Sequence, residues 1–212
     1  MIETRDKILD TAERLFGEQG YEATSLRHII AEADVNLAAI HYHFGTKEEL
    51  LDQLILRKAA PVNAERLALL DVLEAKAKGK AVRLDQLLEA FLGPPMKMLR
   101  EDPGLARLMG RIQGEGLMPQ VVDRHFREVK TRFLAAMTRT LPHLKPEGLA
   151  LRLKFTMGAV SQTLLAADAP AAATMGARPH KHPSEVTAQL VAFVSGGLQA
   201  PVARKERKRM EK

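Results

Sequence analysis

The 212-residue chain contains no cysteine and no tryptophan, and only 4% of it is aromatic. Without thiols there is no disulfide framework, no thiol nucleophile and no thiolate metal site. No stretch approaches the roughly eighteen consecutive apolar residues of a membrane span. No N-terminal apolar run resembles a signal peptide either, so a cytoplasmic protein without a membrane partner is expected. A Gly-rich phosphate loop, a serine in a strained turn motif, a metal-ligand cluster and paired carboxylates in an apolar pocket are all missing. Nothing therefore points to catalysis, and no catalytic residue, cofactor or metal site is assigned. His41 and His43 are two apart and would diverge on a helix. His180 and His182 sit in a Pro-flanked loop and read as solvated. Strand-like alternation is also missing. Glycine and proline fall at the joints between segments of helical period, and an all-α fold is expected.

The net charge is +6, but its distribution is uneven. Residues 1–50 hold five Lys/Arg against ten Asp/Glu, 5 − 10 = −5. The tail from Arg204 to Lys212 holds six bases and two acids, +4, which leaves +7 for residues 51–203. A basic tail of this kind reads as a solvated end.

The most informative stretch is TSLRHIIAEADVNLAAIHYHFGTKEEL, from Thr24 to Leu50. Leu26, Ile29, Ile30 and Ala33 make one helical stripe, which Thr24 or Ser25 can cap. Asn36 can cap a second, shorter helix from Leu37 to Phe44, on which Ile40 and Phe44 face the first. Gly45 can end it with positive φ. Thr46-Lys47-Glu48-Glu49 has the spacing of a capping box, opening a third helix. A helix, a tight turn and a short polar-tipped helix is the geometry that sets a recognition helix in the DNA major groove.

Ile8-Leu9-Asp10-Thr11-Ala12, Leu15-Phe16, Gly20-Tyr21, Thr24-Ser25, Ile29-Ile30-Ala31, Val35, Tyr42-His43-Phe44 and Thr46 to Leu50 closely resemble the TetR family of bacterial transcriptional repressors. The likeness covers about the first fifty residues; the rest of the chain is, in that family, a variable effector domain. The resemblance implies that Leu37, Ala38 and His41 face base edges. It places Tyr42, His43, Thr46 and Lys47 at phosphates, with Thr24, Ser25 and Arg27 on the opposite backbone. Leu37, Ala39 and His41 depart from the polar or aromatic residues frequent there, which shifts weight from hydrogen-bond readout to shape and methyl contacts.

The first helix is expected over residues 4–18, with Tyr21 packed beneath its end. The helix opened by Thr46 should run toward Lys78, with Pro61 kinking or splitting it. A stripe from Leu84 to Leu92 is interrupted by Gly93-Pro94-Pro95, after which Met96, Met98 and Leu99 continue it to Asp102. Further helices are expected from Pro103 to Gly114, from Pro119 through Phe126 to Leu141, and from Pro146 to Asp168. Ala169 to Pro183 reads as a loop, and Ser184 as the cap of a last helix. The implied architecture is an N-terminal helix-turn-helix domain over residues 1–47, a helical effector-binding and dimerisation domain over 48–200, and a basic tail over 201–212.

Large apolar residues of the second domain, Phe91, Met96, Met109, Ile112, Phe126, Phe133, Phe155 and Met157, could line an effector cavity; Gln113 and Gln162 are polar candidates there, as are Arg111, Glu115 and His125. An apolar or amphipathic small molecule is expected. The small residues Gly158, Ser161, Ala192, Ser195 and Gly196, with Leu165, suggest a two-fold helical interface and hence a homodimer. The function implied is a ligand-responsive regulator, a repressor that binds a palindromic operator in double-stranded DNA. The alternative is a non-enzymatic helical interaction module that does not read DNA.

Overall fold

A computed structural model describes residues 4–165 and 183–202, and within these it is entirely α-helical. The first helix, α1 (Thr4–Gln19), buries Ile8, Leu9, Ala12, Leu15 and Phe16 along one side. It stops at Gly20, whose φ of +96° suits a residue without a Cβ. The Tyr21 ring then packs 5.4 Å from that of Phe16.

Next come α2 (Leu26–Ala33) and α3 (Leu37–His43). Ser25 caps α2 by accepting from the His28 N–H, and Asn36 caps α3 by accepting from the Ala39 N–H at 2.8 Å. Asp34 takes the left-handed conformation, φ 49°, that turns the chain between them. The capping box forms as expected: Glu49 N–H donates to Thr46 Oγ1, and Thr46 N–H donates back to Glu49 Oε2. It opens α4 (Lys47–Ala77), 31 residues long, which continues through Pro61 without splitting.

The prolines of the next segment do not break it either. Helix α5 (Leu84–Glu101) passes through both Pro94 and Pro95, where an interruption was expected. It is followed by α6 (Pro103–Gly114), capped by Asp102. The long helix expected from Pro119 to Leu141 is instead two, α7 (Met118–His125) and α8 (Arg127–Thr140), broken at Phe126. There the buried Asn63 amide of α4 donates to the His125 carbonyl at 2.8 Å, satisfying a group at the break from outside the helix. Helix α9 (Pro146–Leu165) and α10 (Pro183–Gln199) complete the order. The last begins at Pro183, one residue before its expected cap at Ser184. The loop expected from Ala169 lies outside the described residues up to its last member, and so do Ala166, Asp168, His180, His182 and the tail beyond Val202.

Two hydrophobic cores result. The second joins Leu70 of α4 to α5, α8, α9 and α10 around Leu87, Leu88, Phe133, Met137 and Leu190. The first contains α1, α2, α3 and the start of α4, and also Leu105, Leu108 and Ile112 of α6 and Val121 of α7. Helices α1 to α3 thus share their core with later helices. Gly17 and Gly104 sit where α1 and α6 cross: a Cβ at Gly17 would meet Gly104 O, Arg107 Cβ and Leu108 N at 3.5 Å.

Phe16 is fully buried in that shared core. Replacing it by Ala should cost about 3–5 kcal/mol, read as a lower urea midpoint.

Candidate functional site

Three surfaces carry chemistry: the outer face of α3, a cavity between the two cores, and an open apolar face on α9 and α10. On α3 the inward residue is Ile40, fully buried, with Phe44 behind it. That fixes what points away. Leu37 is 54% exposed and Tyr42 85%, and Ala38 and His41 are exposed beside them. Ser25, Arg27 and Thr46 are exposed as well, and His43 is half-buried between the Tyr42 and Phe44 rings. An apolar residue, a small one, an imidazole and a phenol thus project together from a capped helix tip.

Two expected members of this surface are engaged inside the protein. Thr24 is fully buried, and its hydroxyl donates to Gly20 O at 2.7 Å and toward Leu15 O at 3.3 Å. Its side chain therefore offers nothing to a DNA backbone. The Lys47 ammonium donates to Tyr21 O at 2.9 Å and Thr24 O at 3.1 Å, and lies over the Tyr21 ring. Its charge closes the α1–α2 turn.

The same turn is held from the other side. Glu115, after α6, accepts from Tyr21 N–H and Glu22 N–H, and Arg111 donates to Gly17 O and Glu18 O at the end of α1. Further along the seam, Arg57 of α4 pairs with Asp10 and Glu13, and Lys58 bridges Glu13 and Asp102. Arg124 pairs with Glu48 and Asp52, and His125 Nε2 lies 3.0 Å from Asp52. Arg111, Glu115 and His125, expected as polar candidates in the effector cavity, instead fasten α6 and α7 to α1 and α4 within the first core. Several carboxylates that make the first fifty residues acidic are neutralised at this seam.

Between the cores lies a cavity of about 510 Å³, walled by residues of α4 through α9. Phe91, Met109, Phe126, Phe133 and Met157, expected from their apolar positions, line it, and so does the polar candidate Gln113. The other candidates lie elsewhere. Ile112 is spent in the first core, Met96 packs against the second, and Phe155 and Gln162 are exposed on α9. The α4 contribution, above all Arg66, was not anticipated. A signal for it exists: Val62, Arg66 and Leu70 follow at i, i+4 and i+8, which puts a guanidinium on a buried face.

On α9 the exposed residues Leu151, Phe155, Gly158 and Gln162 form one stripe, and Gln189, Phe193 and Gly196 form another on α10. Phe155 and Phe193 are 65% and 72% exposed. A Cβ at Gly158 or Gly196 would meet nothing within 4 Å, so these glycines do not serve packing inside this chain. Ala192 is exposed and Ser195 half-buried beside them; the side chains of Ser161 and Leu165 lie outside the described residues. Arg152 fastens the two helices by donating to the carbonyls of Gly197, Leu198, Ala200 and Pro201 at the end of α10.

Residues 8–54 match the family described as bacterial regulatory proteins, tetR family, and residues 89–197 match the tetracyclin repressor-like C-terminal domain. Among curated relatives, the probable HTH-type transcriptional regulator YttP of Bacillus subtilis is 43% identical over 54 residues, 26% of each chain. The biofilm operon icaADBC HTH-type negative transcriptional regulator IcaR of Staphylococcus aureus is 37% identical over 51 residues, 24% of this chain and 27% of that one. The chain thus matches about a quarter of the length of these relatives. The crystal structure of the TetR family transcriptional regulator PfmR from Thermus thermophilus superposes with a TM-score of 0.60 at 20% identity, covering 97% of this chain and 100% of that one.

Two seam carboxylates set an acid limit on stability. Burial, the largest influence, pushes Asp102 up, but bonds from Lys58 and the Leu105 N–H outweigh it and hold it below the usual aspartate range. Asp52 is likewise raised by burial and lowered further by His125 and Arg124. A carboxyl whose folded pKa is depressed adds stability above its unfolded value of about 4, and that stability is lost as pH falls through the folded value. Asp102→Asn should therefore flatten the acid limb of a plot of urea midpoint against pH.

Proposed function

Because the chain belongs to the TetR family of bacterial regulatory proteins, we propose that it is a cytoplasmic, non-enzymatic transcriptional repressor that binds operator DNA as a dimer and releases it on binding a small effector. The observation that carries this is the α3 surface: Leu37, Ala38, His41 and Tyr42 project outward from a helix capped by Asn36 and anchored by Ile40. Leu37, Ala38 and His41 are assigned to base edges, where methyl and imidazole contacts discriminate. Tyr42, His43, Thr46, Ser25 and Arg27 are assigned to phosphates, which set register without reading sequence. Lys47 acts through the turn it closes.

Two copies would pair through the stripes on α9 and α10, whose exposed phenylalanines gain burial in a four-helix bundle. An isologous pair presents two recognition helices to successive major grooves. Effector in the cavity acts on α4, which runs from the wall down to Thr46 at the foot of α3. It also acts on α6, whose far end holds the α1–α2 turn. A shift of either changes the separation of the two recognition helices, so ligand selects a state that no longer spans the operator.

Selection of random duplex DNA with the purified protein near physiological salt tests the reading. Recovery of a palindrome with two half-sites supports it. Recovery of no sequence by an intact dimer favours a helical interaction module. Within the recovered site, His41→Ala should change base preference at one position by about 1–3 kcal/mol. Tyr42→Phe should instead weaken all sequences alike. The double variant Phe155→Asp, Phe193→Asp should elute as a monomer and lose two-half-site binding.

A further inference from the structure

The cavity wall carries four cations, Lys58, Arg66, Lys130 and Lys154, and no Asp or Glu. Lys58 and Lys130 are answered by carboxylates outside it, Glu13 with Asp102 and Asp123. Lys154 is exposed to solvent. Arg66 is only 7% exposed and pairs with no carboxylate among the described residues. Burial pushes its pKa down to about 10, which leaves it fully charged at neutral pH.

Part of this guanidinium has a local task. Pro95 has no N–H to give the Phe91 carbonyl four residues before it, and Arg66 Nε donates there at 2.8 Å. Arg66 Nη1 donates to Asn63 Oδ1 at 3.4 Å, and the group lies 4.6 Å from the Phe91 ring centre. A carbonyl, an amide and a ring are all neutral partners. Nη2 makes no hydrogen bond to a described residue. Capping one carbonyl needs one donor and no charge, whereas a buried charge is costly unless an anion meets it. Most of the remaining wall is apolar, with Phe91, Met98, Met109, Phe126 and Phe133 prominent.

Resting on the reading of this cavity as the effector site, we propose that the effector is an amphipathic monocarboxylate. Its head group is received by the free edge of Arg66 and its hydrocarbon body lies against the phenylalanines and methionines. The guanidinium fork matches a carboxylate in shape and number of donors. The apolar wall rewards the tail in proportion to the area it covers. A single buried cation suits a single negative charge.

The test is calorimetric titration of the full chain with straight-chain acids from hexanoate to hexadecanoate, and with the methyl ester of each, below their micellar concentrations. At least one acid should bind roughly 10- to 100-fold more tightly than its ester, the discrimination expected of a charge-assisted bond. Arg66→Gln should erase that preference, and Arg66→Lys should keep part of it. Equal binding of acid and ester overturns the proposal, as does a preference that survives Arg66→Gln, or no binding by an acid of any length. If circular dichroism shows Arg66→Gln unfolded, the acid–ester comparison on the unaltered chain decides. Nile red, a neutral apolar dye, separates this from the wider reading. Dye displaced by esters and not by acids removes the carboxylate and leaves the cavity an effector site. Exclusion of dye, esters and acids together removes both.

Discussion

The seating of α6 on α1 is the contact on which the rest of this molecule depends. Helices α1 to α3 are too few to cover Phe16, Leu15 and Ile8 by themselves, and Leu105, Leu108 and Ile112 complete their core. Small domains bury a small fraction of their surface, and borrowing a neighbour's side chains is one remedy. The polar contacts follow the same seam. Arg111 caps the end of α1, Glu115 gathers two N–H groups of the turn, and Lys47 gathers two of its carbonyls. A single turn, residues 20–24, is thus clamped on one side by the first residue of α4 and on the other by α6 and the residue after it.

Proline placement gives the cavity its character. Pro94 and Pro95 lie inside α5 and leave carbonyls of the preceding turn without intrahelical donors. One of these, at Phe91, takes a guanidinium from α4, which brings a full positive charge to an apolar wall. At the α7–α8 break, Asn63 of the same helix donates to His125 O. Helix α4 therefore supplies both of these side-chain donors, Asn63 and Arg66, and at its other end begins beside α3. One unbroken helix thus runs from the cavity wall to the foot of α3.

The N-terminal fifty residues were legible because their signals are local. Caps at Ser25, Asn36 and Thr46 lie within three residues of what they cap, and the apolar stripes have one period. The exposed tip of α3 followed from knowing that Ile40 turns inward. What sequence could not show was long-range. Thr24 and Lys47 look like surface donors until the turn closes on them. Arg111, Glu115 and His125 look like ligands of a pocket until α6 and α7 are placed against α1 and α4. The prolines misled in the opposite sense, because tertiary packing and side-chain donors kept α5 whole, while the α7–α8 break at Phe126 has no proline to announce it. Of the residues expected at an effector pocket, Phe91, Met109, Gln113, Phe126, Phe133 and Met157 line the cavity, whereas Ile112, with the same apolar period, packs into the first core.

The clamp at Gly20 bears on how such a chain could change over time. A Cβ at Gly20 would lie 2.2 Å from Glu115 Oε1, so the turn and the residue after α6 fit each other and not merely their own neighbourhoods. The N-terminal helices are consequently not a portable cassette. Transplanting residues 1–50 onto a foreign helical domain would carry the exposed face of α3 across but leave behind Glu115, Arg111 and the leucines that finish its core. A working chimera would have to exchange two separate stretches of sequence together, and drift at one should be answered by drift at the other.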